Sequence, residues 1–167
     1  MIDVAAITTL VAPLADALRG RCWRLATAES CTGGLIAAAC TALAGSSDWF
    51  ERGFVTYSNE AKIEQLGVDP ALIVAHGAVS AEVARAMVAG ALAHSRADIA
   101  VAVTGIAGPG GAAAGKPVGT VWLAWMRRGG PARAERLRLN GDRASVRAQT
   151  VAVALQRLHA AVITATP

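Results

Sequence analysis

A serine pair, a lone tyrosine and a lysine offer the most reactive chemistry in the chain: Ser46-Ser47, Tyr57 and Lys62. A serine hydroxyl attacks only after a partner removes its proton. A neutral lysine, bridged to the serine by a tyrosine hydroxyl, is an alternative to histidine in that role. Lys62 falls in the first turn or so of a short predicted helix, where the positive end of the helix dipole disfavours an ammonium group. Partial burial lowers its pKa further, toward that of a usable base. Spacing alone fits a capping serine and an exposed helical lysine better than it fits a catalytic set.

Glu29-Ser30-Cys31-Thr32-Gly33-Gly34 forms a second group, a turn between a predicted strand and a predicted helix. It brings two hydroxyls, a thiol and helix N-terminal amides, a place for an anion or an oxyanion. Cys31 has the setting of a low-pKa thiolate, but no histidine is near it in sequence and a small packed thiol is the plainer reading. Thr104-Gly105-Ile106-Ala107-Gly108-Pro109-Gly110-Gly111 is a glycine-rich loop after an apolar strand, where backbone N–H groups can approach an anion unobstructed. Its spacing matches neither a Walker A loop nor a GxGxxG fingerprint. The 13 residues from Gly105 to Pro117 are long for a plain connector. Arg143 and Arg147 stand one turn apart just after Asn140-Gly141-Asp142. Arginines at a helix start oppose the dipole, and an anionic ligand offsets that cost; a solvated basic face accounts for them equally well.

These groups need an alternating series of elements to position them. Ile2 to Arg19 reads as a helix, Trp23 to Ala28 as a strand and Leu35 to Leu43 as a helix. Gly53 to Ser58 alternates as a strand, and a short helix runs from Asn59 to about Leu66, stopped by Gly67 and Pro70. Ser80 caps a helix over Ala81 to Ser95, and Asp98 to Thr104 is a near-continuous apolar strand of the kind covered on both faces. Val118 to Met126 and Ala134 to Leu139 flank Gly129-Gly130-Pro131 as a hairpin. Asp142 caps a final helix with a stripe of Val151, Leu155, Leu158 and Val162. The predicted class is α/β, a mostly parallel mixed sheet between helices with an antiparallel hairpin near residues 118–139. The turns Glu29–Gly34, Tyr57–Lys62 and Gly105–Lys116 all follow strands, so they are expected to meet in one crevice at the strands' carboxyl ends.

Composition narrows the classes. The chain has 167 residues, read as one domain over 1–167, with 54% hydrophobic and 17% charged residues, which excludes a disordered chain. Its 39 alanines against seven aromatics suggest helices that approach closely. The longest uncharged run, Ser30 to Ser47, is interrupted by glycines and hydroxyls and does not read as a membrane span. The N-terminus carries Asp3 and lacks a basic n-region, so a signal peptide is not expected and the default location is cytoplasmic. Cys22, Cys31 and Cys40 frame no disulfide scaffold, and with His76, His94 and His159 far apart no metal site is expected. Residues 1–126 hold eight Lys/Arg against ten Asp/Glu, whereas residues 127–167 hold eight Arg against Glu135 and Asp142. That basic C-terminal part favours an anionic partner, a phosphate ester or a nucleic acid. Few aromatics and no RNP, KH or helix-turn-helix pattern make the nucleic acid the lesser candidate. A nucleotide-binding module without catalysis is the main rival to an enzyme.

The motifs taken together resemble one family. Ala28-Glu29-Ser30-Cys31-Thr32-Gly33-Gly34, Gly45-Ser46-Ser47 with Trp49-Phe50, and Val55-Thr56-Tyr57-Ser58-Asn59-Glu60-Ala61-Lys62 are similar to the CinA C-terminal domain family. So are His76-Gly77-Ala78-Val79-Ser80, Thr104 to Pro109, Lys116-Pro117-Val118-Gly119-Thr120-Val121 and Gly141-Asp142-Arg143, in the same order. The resemblance runs from about residue 5 to 160. It implies a three-layer α/β/α sandwich, often oligomeric, so a homo-oligomer is expected. It also implies a nicotinamide-nucleotide amidohydrolase that converts the carboxamide of nicotinamide mononucleotide to nicotinate mononucleotide and ammonia, with no cofactor. The family's Ser–Tyr–Lys set, carried over by motif, falls on Ser47 as nucleophile, with Ser46 as the alternative, Tyr57 as relay and Lys62 as general base. The resemblance places Ser30, Thr104 and Arg143 around the substrate, and the two glycine-containing turns add Thr32, Gly33, Gly105 and Gly108 to the expected substrate-binding residues. The Ala/Gly-rich tract Gly110 to Gly115 departs from the polar residues common in relatives.

Overall fold

Residues alternating between large and small apolar side chains build the centre of the protein. The computed structural model describes residues 4–166. The chain runs α1 (Val4–Gly20), β1 (Leu25–Glu29), α2 (Leu35–Thr41), a single 3-10 turn (Ser46–Asp48) and β2 (Phe50–Val55). It continues through α3 (Asn59–Leu66), α4 (Pro70–His76), α5 (Ala81–Ala93), β3 (Ile99–Gly105), β4 (Thr120–Arg127), β5 (Arg133–Arg138) and α6 (Arg143–Thr164). The start of the predicted first helix, Ile2-Asp3, lies outside the described residues.

The sheet order is β2-β1-β3-β4-β5. β1 pairs in parallel with β2 and β3, while β4 is antiparallel to both β3 and β5. Only β4 therefore runs against the other four strands. Side chains on a strand alternate between faces. One face presents Leu25, Ile99, Val101 and Val103 to Leu14, Leu18, Leu155 and Leu158 of α1 and α6. The other presents Ala26, Ala28, Ala100 and Ala102 to Val83, Met87 and Val88 of α5. The many alanines thus have a specific use: they let α5 lie close to the central strands. This is a three-layer α/β/α sandwich with a mixed sheet.

Three differences from the sequence reading have local causes. β2 begins at Phe50 rather than Gly53, because Trp49 O already accepts a hydrogen bond from Leu25 N at 2.7 Å and draws this segment onto the sheet. It ends at Val55, so Thr56 to Ser58 form the turn into α3. Pro70 was expected only to stop a helix; instead it opens α4 at the first helical position, with Asp69 accepting from Ala71 N. None of the described helices is long and apolar enough to cross a membrane.

α5 and α3 touch at Gly90, where an added Cβ would lie 2.0 Å from Leu66 O. Since α3 carries Lys62, this contact sets how far that lysine sits from the sheet. Gly90→Ala is expected to destabilise the fold by about 1–3 kcal/mol, the usual cost of overpacking a tight contact. The measurement is a urea titration: the midpoint should fall with the slope unchanged, and an unaltered midpoint would mean that the helices shift apart freely.

Candidate active site

The chain leaves β1 through α2, which packs against α1 and α6, and leaves neighbouring β2 through α3, which packs against α5 on the opposite face. Adjacent strands with connections departing to opposite faces open a crevice at their carboxyl ends. Ser30 follows β1 directly, and Lys62 lies on α3 beyond the end of β2.

Strand alternation aims consecutive residues apart. The Glu29 carboxylate turns toward α2, while Ser30 turns toward α3, where its Oγ is 3.2 Å from Lys62 Nζ. Ser58 caps α3 by accepting from Ala61 N, which starts the helix so that Lys62 reaches back under it. Lys62 is 1% exposed. Its nitrogen also lies 2.9 Å from Thr56 O and 3.3 Å from Ser58 O. Both carbonyls can only accept. In the neutral amine they take its two N–H groups and leave the lone pair directed at the Ser30 hydroxyl. Burial disfavours the ammonium and lowers the Lys62 pKa below the usual lysine value. The dipole reading of Lys62 is thus secondary; desolvation is the main cause.

Ser47 does not join this pair. It is exposed on the 3-10 turn before β2, at the opposite end of that strand from Lys62. β2 is six residues long, so the two are separated by roughly 20 Å of strand at about 3.3 Å per residue. The turn is held there by Arg19, which donates to Gly45 O at 3.2 Å. Ser46 sits on the same turn and is excluded from contact with Lys62 by the same geometry. The structure does not bring the expected nucleophile Ser47 to Lys62; the serine that meets Lys62 is Ser30.

Tyr57 is 59% exposed, and its hydroxyl accepts from Arg143 Nη2 at 2.8 Å rather than contacting Ser30 or Lys62. Arg143 Nη1 donates to Gly108 O at 3.0 Å, so one guanidinium ties the Tyr57 turn to the glycine-rich loop. Two of its five N–H donors are used in this way, and the others remain available to an anion. One turn along α6, Arg147 donates to Thr32 O at 2.8 Å. The three turns expected to converge do so, stitched by these two arginines. The basic C-terminal part is largely committed internally. Arg157 grips Glu135 bidentately, Arg128 donates to Leu92, Ser95 and Ala97 carbonyls, and Arg127 donates to Thr166 O.

Several hydroxyls and glycines shape the crevice. Thr32 Oγ1 donates to Glu29 Oε2 at 2.6 Å, and Thr104 Oγ1 donates to Ala78 O at 2.8 Å; both side chains are fully or nearly buried. Both hydroxyl protons, expected to face a substrate, are given to acceptors within the protein. Gly108 adopts φ 85 and a Cβ there would lie 2.6 Å from Val118; at Gly105 it would lie 2.7 Å from Val121. These glycines let the loop fold over the strand ends. Gly33, with φ 60, lies beside Arg147. The α2 N-terminus, read from sequence as an anion site, is filled from within: Glu29 accepts from Ile36 N at 2.9 Å and Ala37 N at 2.8 Å. The thiol of Cys31 is pushed up to about 11, chiefly by burial, which makes it a packed thiol and not a thiolate nucleophile. A cavity of about 370 Å³ bounded by Trp125, Arg127 and Arg157 opens at the opposite end of the sheet, away from Lys62.

An α/β/α sandwich with a buried serine–lysine pair at a strand-end crevice defines the class of protein. The model of the CinA C-terminal domain matches residues 7–162, and the chain belongs to that family. It is 55% identical over 152 residues to the nicotinamide-nucleotide amidohydrolase PncC of Pseudomonas putida, covering 91% of this chain and 94% of that one. The Escherichia coli K12 protein of the same name is 52% identical over 143 residues, 86% of this chain and 87% of the relative. Among solved structures, a competence/damage inducible protein from Agrobacterium tumefaciens superposes with a TM-score of 0.90 at 48% identity, over 92% of this chain and 94% of that one.

Proposed function

We propose that the chain hydrolyses the carboxamide of nicotinamide mononucleotide to nicotinate mononucleotide and ammonia, a salvage step for pyridine nucleotides, with Ser30 as nucleophile and Lys62 as its base. The observation that carries this reading is the 3.2 Å contact between Ser30 Oγ and the buried Lys62 Nζ. The nicotinamide-nucleotide amidohydrolases that are more than 50% identical over most of the chain support the choice of substrate.

The chemistry follows from the geometry. Lys62 takes the Ser30 proton as Oγ bonds to the carboxamide carbon, and the carbonyl electrons move onto oxygen. Among the described residues the amides of Cys31 and Thr32 donate to no backbone carbonyl, and we assign them to receive that oxyanion. As the tetrahedral centre collapses, Lys62 returns the proton to the amide nitrogen, the C–N bond breaks and ammonia leaves. Water then attacks the ester. Lys62 takes the water's proton and passes it to Ser30 Oγ as the ester bond opens. Tyr57 and Arg143 act on the substrate side, with Arg143 holding the phosphate and Tyr57 fixing the guanidinium plane.

The test compares purified protein on the mononucleotide and on nicotinamide riboside, following ammonia and the carboxylate product together. The mononucleotide should be the better substrate, and Arg143→Ala should raise its KM by about 10–100-fold, the value of one charge-assisted contact, while leaving the riboside nearly unaffected. Equal turnover of both substrates would remove Arg143 from the phosphate. Absence of ammonia from either would overturn the reaction itself.

A further inference from the structure

Glu29 is a buried carboxylate that the proposed reaction does not use. It is 0% exposed and its oxygens accept three hydrogen bonds: from Thr32 Oγ1 at 2.6 Å, Ile36 N at 2.9 Å and Ala37 N at 2.8 Å. The residue at the N-cap of α2, Gly34, has no side chain to cap the helix and stands at φ 93. The cap is therefore supplied from the strand, by the residue immediately before Ser30. Its charge sits against the positive end of α2.

We propose that Glu29 is a positioning residue for Ser30, clamping the 30–34 turn so that Oγ faces Lys62 and the Cys31 and Thr32 amides face the reacting carbonyl. This inference rests on the reading of Ser30 as nucleophile. Ser30 is pinned through its own backbone as well: Ser30 N donates to Val103 O at 3.0 Å, and Glu29 O accepts from Thr56 N at 2.8 Å. Those bonds fix the strand end, but they leave the following turn unheld. Gly33 N to Ser30 O, at 3.0 Å, closes that turn on itself without tying it to the scaffold. The carboxylate and the Arg147 contact to Thr32 O do the tying. Glutamine at position 29 keeps the size, yet its NH2 group would face a helix amide, donor against donor.

The experiment measures kcat, KM and thermal midpoint for Glu29→Gln, Thr32→Val and Thr32→Ser in the full chain with nicotinamide mononucleotide. Displacing a reacting group by about 1 Å costs on the order of 100-fold, so Glu29→Gln should lose about 10–100-fold in kcat with KM within about threefold of the parent. Thr32→Val, which removes one of the three contacts, should lose a smaller part of kcat, and Thr32→Ser, which keeps the hydroxyl, should restore it. Should Glu29→Gln fail to fold, the Val/Ser pair carries the test. Folded variants with a lowered midpoint but parental kcat, or Thr32→Val and Thr32→Ser with equal kcat, would overturn the proposal. Failure of the underlying reading shows separately, as parental turnover in Ser30→Ala.

Discussion

Ser30→Ala should abolish ammonia release from nicotinamide mononucleotide, by at least about 10³-fold in kcat, as loss of a nucleophile does elsewhere. Ser47→Ala, by contrast, should stay within about twofold of the parent. The contrast is sharp because both serines belong to motifs that resemble the family, yet of the two only Ser30 is near Lys62. Ser30 is held at the end of β1, 3.2 Å from an amine that burial keeps below its ordinary pKa. Ser47 lies exposed at the start of β2, where the neighbouring charges are Arg19 and Asp48. Neither substitution should unfold the protein, since each removes one hydroxyl, and equal thermal midpoints would confirm that kcat is being compared on like terms. Loss of activity in Ser47→Ala with retention in Ser30→Ala would reverse the assignment.

Lys62 gives the second large effect, and its sign can be worked out. The reaction needs the neutral amine. The Lys62 pKa is lowered from the ordinary lysine value, first by burial. Turnover should therefore rise with pH through an acid limb whose midpoint lies below the ordinary lysine value, and reach its plateau once the amine is deprotonated. Lys62→Arg keeps a positive charge that does not titrate in this range. It should lose at least about 10³-fold at every pH and show no such limb. Lys62→Met should also be inactive, and it takes from Thr56 O the donor that Nζ supplies. An unchanged pH profile in Lys62→Arg would show that another group sets the limb.

The architecture was legible because the strands and long helices announce themselves. The run Ile99–Val103 is apolar throughout, the caps Ser80 and Asp142 sit where the helices begin, and Asn59–Leu66 is found at its expected limits. α4 was not, because a proline reads as a stop unless the cap before it, here Asp69, is recognised. The site was half legible. The convergence of the three turns follows from their all lying after strands. The pairing partner of Lys62 does not follow from motif order, because Ser46-Ser47 is nearer in sequence than Ser30. One signal in the chain did discriminate: Ser30 follows a strand and precedes a helix, whereas Ser46-Ser47 follows a helix and precedes a strand, the wrong end of the sheet for a ligand crevice. The role of Glu29 was hidden because a charged residue closing an apolar strand gives no sign of which helix amides it will meet.

The central claim is that a covalent ester forms on Ser30. No Lys or Arg lies between Arg24 and Arg52, so trypsin releases residues 25–52 as one peptide carrying Ser30, Ser46 and Ser47 together. Protein turning over nicotinamide mononucleotide is quenched in acid within milliseconds, and that peptide is fragmented to locate the added acyl group; a parallel reaction contains hydroxylamine to intercept the ester. The expected result is the acyl group on Ser30 and formation of the hydroxamate. An acyl group on Ser46 or Ser47, or steady ammonia release with neither ester nor hydroxamate, would contradict it.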